Sequence, residues 1–284
     1  MTVVAPRARQ ALGVALAEDA DRIRLWPGVG RRAPGPFVLV IAEDSAEFAR
    51  LSRGRAPGWG AGLAFPAERT IMLRADLPEL GQTLRHELAH LVLRDAVRTR
   101  LPLWFDEGYA SWASGELGRM ESLELNLAVA TGKLPRFEAL DAMLRGGASS
   151  ADLAYTLAAS AVAELSRRPP DGTVDRLVAH LGEGQGFDEA LLASTGLTVD
   201  RFEASWQRSL RQRYSLITWL AAGGFWGVMA LAVIGLAWRR QRRDASRRAA
   251  LNTGWIVAAE VEQPLDENLS PTVKETVDPE RPSG

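Results

Sequence analysis

The chain has 284 residues, enough for one sizeable domain with additional segments. Its formal net charge of −1 gives no reason to expect a nucleic-acid partner. The absence of cysteine excludes disulfides, thiolate metal sites and a cysteine nucleophile, so any bound metal must be held by histidines and carboxylates.

The first half of the chain contains the segments that resemble strands. "FVLVIA" (37–42) predicts a strand, and the helix expected over 44–51 has Asp44 as its capping candidate. "WGAGLAF" (59–65) and "RTIMLRA" (69–75) predict the two strands of a hairpin. An apolar-periodic stretch from Pro78 to about Val97 then predicts a long helix.

The second half is helical in pattern. Pro102 stands at the start of a short predicted helix, where proline is tolerated, and from residue 120 onward helical segments alternate with clusters of Gly, Pro and Asp. Because the strands precede the helices, we predict the α+β class. The expected architecture is a small N-terminal antiparallel or mixed sheet with the long helix, then an all-helical C-terminal half and one transmembrane helix.

The predicted transmembrane helix covers residues 215–238, which include no charged residue. At 1.5 Å per residue this segment is about 36 Å long, enough to cross a bilayer. Trp219 and Trp238 lie near its ends, and the arginine-rich "RRQRRDASRR" follows at 239–248. The alternative interpretation is a buried core helix.

Four segments result from this division. We predict an N-terminal segment (1–35) with a weak or truncated export signal around "ALGVALA", one folded domain (36–214), the transmembrane helix (215–238), and a basic stretch with an acidic disordered tail (239–284). Arginines after the span favour a cytoplasmic tail, which places the folded domain on the extracytoplasmic face.

The long predicted helix contains "TLRHELAHLVL" (83–93). His86 and His90, four residues apart, lie on one helix face and can offer two imidazoles to one ion, while Glu87 can reach a water held by that ion. This is the arrangement that metal-assisted hydrolysis requires. The alternative is an ordinary charged helix that happens to contain histidine.

A third metal ligand is expected from "LPLWFDEGYASW" (101–112). Catalytic zinc usually has three protein ligands, and Glu107 would complete a His, His, Glu set. Asp106 is the direct competitor, but it should point away if Glu107 points in. We expect Gly108 to let this helix pack closely against the helix of the histidines.

H-E-x-x-H followed by W-F-x-E-G resembles the gluzincin metallopeptidases, the peptidase MA-like group related to thermolysin and the M1 aminopeptidases, over residues 36–212. The resemblance implies one Zn²⁺ per chain on His86, His90 and Glu107, with Glu87 as the general base that activates the zinc-bound water. It also implies that an edge strand near residues 70–75 pairs with an extended peptide substrate.

Stabilising the developing oxyanion requires a further donor. The resemblance implies a tyrosine or histidine from the helical part in this role, so Tyr155 is our candidate and His180 the other option, whereas Tyr109 should face away from the site. The chain has no G-x-M-x-N run like the one with which the M1 aminopeptidases bind the free N-terminus of a substrate, so nothing indicates an exopeptidase.

These observations predict a single-pass, membrane-anchored zinc metalloendopeptidase. Its expected partners are a peptide or protein substrate and, through residues 215–238, the lipid bilayer. A catalytically inactive gluzincin-like binding module tethered to the membrane is the alternative, and a membrane anchor that acts through its acidic tail is a third hypothesis.

Overall fold

The computed structural model describes residues 1–116, 125–126, 128–129, 132, 134–169, 171–214 and 225–252. The chain divides into two compact units, Met1–Phe225 and Trp226–Gly284. The first unit contains the sheet and the helices that surround the candidate site.

Six strands are found in the described residues of the first unit. They are β1 (Thr2–Val4), β2 (Leu25–Trp26), β3 (Gly30–Arg31), β4 (Val38–Ala42), β5 (Gly62–Phe65) and β6 (Thr70–Arg74). The main sheet has the order β1-β4-β6-β5, in which β4 runs parallel to both of its neighbours and β5 runs antiparallel to β6. Strands β2 and β3 form a separate two-stranded ribbon.

The expected hairpin is confirmed, but the expectation that residues 70–75 form its edge strand is wrong. Strand β6 lies between β4 and β5, and β5 is the edge strand. The burial of β6 agrees with its position inside the sheet, because Ile71 and Leu73 on one face and Met72 on the other are all buried. A continuous apolar run of this kind is typical of an interior strand.

The boundary predicted at residue 35 does not divide the fold. Strand β1 pairs with β4, and helix α1 (Gln10–Arg22) buries Leu16 and Ala20 in the main core. Residues 1–35 therefore belong to the same compact unit as the domain that follows them. The interpretation of this segment as an export signal stays a prediction.

The remaining helices follow in chain order and confirm the α+β class. They are α2 (Ser45–Leu51), α3 (Leu80–Ala96), α4 (Leu103–Ser114), α5 (Phe137–Leu144), α6 (Ala148–Ser166), α7 (Thr173–Gly182), α8 (Phe187–Thr195), α9 (Val199–Arg213) and α10 (Phe225–Asn252). Short 3₁₀ helices occur at Arg7–Arg9 and Pro66–Glu68.

The two faces of the sheet are covered by different helices. Ile71 and Leu73 of β6 join the core formed with α1 and α3, while Met72 packs with Phe48 of α2 on the other face. Helix α2 begins as expected at Asp44, whose side chain accepts a hydrogen bond from the Glu47 N–H at 2.8 Å. Alternation along β6 thus fixes α3, and with it the histidines, against the sheet.

Helix α4 packs most closely against α6, which corrects the expected role of Gly108. A Cβ atom on Gly108 would lie 2.5 Å from the carbonyl oxygen of Ala158 in α6, so the missing side chain allows contact with α6 rather than with α3. Trp104 anchors the start of α4 by stacking on Phe137 at 4.0 Å between ring centroids. Together these contacts orient α4 and the carboxylates that it carries.

Several predictions concern residues outside the described ranges. The helical segments expected from residue 120 onward include residues 120–124, 127 and 130, and the tail includes 253–284, none of which is described. The first ten residues of the predicted span, 215–224, are also outside. Among the described residues, no helix combines the length and the apolar character needed to cross a membrane.

The close approach at Gly108 predicts that Gly108→Ala destabilises the protein, because the new methyl group collides with backbone atoms of α6 that cannot turn aside. We expect a loss of about 1–3 kcal/mol in the free energy of unfolding, measured by chemical denaturation.

Gly81→Ala is the matched control, since Gly81 is also helical but nothing lies within 4 Å of its added Cβ atom. It should be neutral or stabilise the protein by up to about 1 kcal/mol through helix propensity. Equal effects of the two substitutions would contradict the packing argument.

Candidate metal centre

Two consecutive helices bring the three expected ligands together. Helix α3 supplies His86 and His90, and α4 supplies Glu107. The two Nε2 atoms are 3.2 Å apart, and each lies 3.5 Å from Oε2 of Glu107. Within the described residues, these three form the group of histidine and carboxylate side chains arranged to hold a metal ion.

These separations match the requirements of a tetrahedral zinc ion. With Zn–N and Zn–O bonds of about 2.0–2.2 Å, ligand atoms at tetrahedral angles are about 3.3–3.5 Å apart. The three side chains offer two nitrogens and one oxygen, which is a ligand set that leaves the fourth position open. The donor chemistry and the spacing therefore both fit zinc.

The outward-facing nitrogen of each histidine contacts a carboxylate. His86 Nδ1 lies 3.2 Å from Glu116, and His90 Nδ1 lies 3.2 Å from Oδ1 of Asp106. The other carboxylate oxygen of Asp106 accepts a short hydrogen bond from Arg94. Such contacts fix the ring orientation and direct Nε2 towards the metal position.

Asp106 therefore points away from the ligand cluster, as expected, but it supports that cluster from behind. Glu116 was not foreseen, because it follows the C-terminal end of α4 and nothing near it in the sequence marks it. Gly115, whose φ of +79° ends the helix, turns the chain so that Glu116 reaches His86. In the sequence, the only sign of Glu116 is that a carboxylate follows a glycine that ends a helix.

The protein groups around the ligands create a strongly negative environment. Burial disfavours a charged imidazole, yet hydrogen bonds to Glu107 and Glu116 raise the pKa of His86 to about 10. The pKa of His90 is also raised, since Glu107 and Asp106 outweigh its burial. Burial alone would raise the pKa of Glu107, but the two histidines lower it. The site is thus arranged to receive positive charge.

Glu87 lies beside the ligands without joining them. It is 7% exposed, and its burial raises the pKa of its carboxyl. Gly62, the first residue of edge strand β5, approaches it so closely that an added Cβ atom would lie 2.7 Å from Glu87 Oε1. The carboxyl group therefore sits between the metal ligands and the edge strand.

Tyr155 reaches the site from α6. Its ring centroid lies 6.1 Å from that of His86, and the residue lines the same cleft as the ligands. Burial, together with the nearby carboxylates Glu107 and Glu87, raises the pKa of Tyr155. The phenol therefore keeps its proton at neutral pH and remains a hydrogen-bond donor.

The other two candidates lie elsewhere. His180 is on α7, its Nδ1 atom lies 3.5 Å from Oε2 of Glu183, and it does not line the cleft. Tyr109 is buried and donates a hydrogen bond of 2.8 Å to the Pro27 carbonyl, so it faces away from the site as expected. Between Tyr155 and His180, the structure brings only Tyr155 to the ligands.

The cleft that contains the site has a volume of about 1170 Å³. One side is formed by β5 and the loop before it, and the other by α5, α6 and the turn between them. Trp59 of the loop was not foreseen either, and its ring centroid lies 6.3 Å from that of Tyr155. The metal ligands and Glu87 also line this space, so it is open to a ligand.

The fold and the site geometry agree with a comparison to known protein families. A model of the peptidase MA superfamily matches residues 18–212, more than half of the chain. The match begins within α1, in keeping with the packing of that helix in the core. No curated protein matches the chain. On the strength of the family match, the chain belongs to the peptidase MA superfamily.

Proposed function

We propose that the protein is a zinc-dependent endopeptidase. The observation that carries this proposal is the convergence of His86, His90 and Glu107, whose ligand atoms face one another at 3.2–3.5 Å beside the buried carboxyl of Glu87. A structural zinc site is usually closed by four protein ligands, whereas this set has three and lines an open cleft.

His86, His90 and Glu107 would hold the zinc ion, which would lower the pKa of water and polarise the carbonyl group that is attacked. Glu87 accepts the proton of the attacking water and returns it to the leaving amine. Its burial supports both roles, because a raised pKa brings the carboxyl closer to the range in which it exchanges protons. Glu116 and Asp106 hold the two imidazoles in place.

Tyr155 is proposed to stabilise the oxyanion that develops on the attacked carbonyl. Its position beside His86 and its raised pKa support this assignment, since a protonated phenol donates a hydrogen bond to a negatively charged oxygen.

The substrate is proposed to bind as an extended peptide along β5. This strand is the edge of the sheet, so its outer backbone groups are available for strand addition. The cleft continues beyond both ends of β5, from Trp59 to Pro66 and Ala67, which supports internal cleavage of a longer chain.

We further propose that the protein is attached to a bilayer through residues 215–238, with the peptidase domain on the extracytoplasmic face. The absence of charge from these 24 residues and the arginines that follow support this topology. If the whole chain is released from membranes by alkaline carbonate, the attachment is not that of a spanning helix.

The alternative is an inactive binding module that keeps the fold and its metal. The buried Glu87 argues against it, because burying a carboxyl group costs free energy and a binding module has no use for one beside an open metal position.

Wild-type protein should contain about one zinc per chain, and His90→Ala should lose most of it, because the substitution removes one of three ligands. Plasma mass spectrometry of the purified full chain measures the ratio. His180→Ala is the matched control and should keep its zinc, since His180 does not line the cleft.

The same measurement should show less bound zinc at about pH 5 than at about pH 7.5. Ligation requires neutral imidazoles, whereas the protein groups raise the pKa of His86 to about 10, so protons compete with zinc and the competition strengthens as pH falls. If the zinc content changes neither with pH nor in His90→Ala, zinc is not bound by His86, His90 and Glu107.

Glu87→Gln should lower the kcat for peptide hydrolysis by about 10²- to 10⁴-fold while zinc content is unchanged, because the amide cannot accept the proton of water. Hydrolysis of a fluorogenic peptide library measures the effect. Glu18→Gln, on the exposed side of α1, is the control and should match wild type. Full activity of Glu87→Gln would refute the mechanism, and zinc without turnover in wild type would favour the binding module.

A further inference from the structure

A loop rich in glycine and proline presents one large aromatic side chain to the cleft. The loop "SRGRAPGWGA" (52–61) connects α2 to β5, and Trp59 is half-buried at its end. Trp59 is flanked by Gly58 and Gly60, which provide no packing of their own. An indole in such a loop has a defined position only if the loop backbone is tied down.

The side chain of Arg74 supplies that restraint. Arg74, the last residue of β6, is 8% exposed and donates hydrogen bonds of 3.3 Å to the carbonyl oxygens of Gly58 and Gly60. It also pairs with both carboxylate oxygens of Asp76, at 3.1 and 2.9 Å. A buried guanidinium is costly unless its donors are satisfied, so this network holds the backbone on both sides of Trp59.

The ring of Trp59 continues a line of aromatic contacts that starts at the metal ligands. Tyr155 contacts His86 edge-on, with centroids 6.1 Å apart, and Trp59 contacts Tyr155 in the same way at 6.3 Å. Trp59 comes from the sheet half of the fold and Tyr155 from α6, so the pair lies across the cleft. The indole is therefore close to the reaction centre without touching a ligand.

The chain position of Trp59 relates it to the scissile bond. Gly62 lies against Glu87 and marks where a bond under attack would sit. Trp59 precedes Gly62 by three residues, at most about 10 Å along an extended chain. A peptide lying along β5 would thus present a side chain to Trp59 within about three residues of the bond that is cleaved.

We propose that Trp59 is a specificity-determining residue that selects a large apolar substrate side chain, aromatic above aliphatic, within about three residues of the scissile bond. Arg74 is the positioning residue that holds the loop. The proposal rests on the proposed peptidase function. Edge-to-face or stacked contact with the indole favours aromatic rings, whereas a small side chain would make little contact with it.

The test compares kcat/KM for fluorogenic peptides in which one of the three positions on either side of the scissile bond is in turn Phe, Leu, Ala or Lys. Wild type should prefer Phe to Ala by about 10-fold or more, and Trp59→Ala should remove most of that ratio, whereas Trp59→Phe should retain it in part. Zinc content, measured in parallel, should not change.

Two further variants separate side-chain selection from structural damage. Asp76→Asn weakens the orientation of Arg74 more gently than replacing the arginine, and it should lower the Phe to Ala ratio in the same direction. Trp112→Phe is the matched control, because Trp112 packs on Tyr109 outside the cleft and should leave the ratio as in wild type. If Trp59→Ala slows all peptides by one factor, or changes none, the proposal is overturned.

Binding of the same peptides to Glu87→Gln, measured by calorimetry, distinguishes a failure of the proposed peptidase function from a failure of the proposed Trp59 subsite. Peptides that bind with the Phe preference but are not cleaved by wild type would refute the peptidase function and support the subsite. Peptides that are cleaved without any preference would refute the subsite alone. Peptides that neither bind nor react would overturn both.

Discussion

The site depends on one geometric constraint: ligand atoms from two helices must meet within about 3.5 Å. His86 and His90 meet this constraint within α3, because residues four apart share a helix face. Glu107 meets it only if α4 takes one particular position. That position is fixed by other residues of α4, because Gly108 allows contact with the backbone of Ala158 and Trp104 stacks on Phe137. The candidate metal centre is therefore assembled by packing of residues that are not in its ligand set.

The electrostatics of the site follow from the same packing. Two imidazoles and several carboxylates share a largely buried space, in which each unpaired charge would be costly. The structure pairs Asp106 with His90 and Arg94, and Glu116 with His86, while Glu107 faces both histidines. These contacts raise the pKa values of the imidazoles, so a divalent cation bound there would replace protons that the carboxylates otherwise hold.

The sequence was most informative where function follows from local helical geometry. The spacing of His86, Glu87 and His90 is such a case, and the class of the fold followed from the order of its strands and helices. Glu107 was accessible because its helix begins at a recognisable proline and carries a familiar motif. Glu116 and Arg74 were not accessible, because their partners lie 30 residues away in α3 and 14–16 residues away in the loop before β5. Likewise, no sequence pattern shows which helix lies against Gly108, or that β4 pairs with β6 and leaves β5 at the edge.

Glu87 links the two halves of the fold. It belongs to the helix of the metal ligands, yet its carboxyl group lies against Gly62 of the edge strand. The same strand is preceded by the loop that Arg74 fixes, and the loop carries Trp59 to Tyr155 on the helical side. The proposed base Glu87, the edge strand and the pair of Trp59 and Tyr155 are therefore all positioned by the attachment of β5 to β6. A substrate that bound along β5, as proposed, would thereby be placed relative to Glu87 and the candidate metal ligands in one step, so binding would also position the scissile bond.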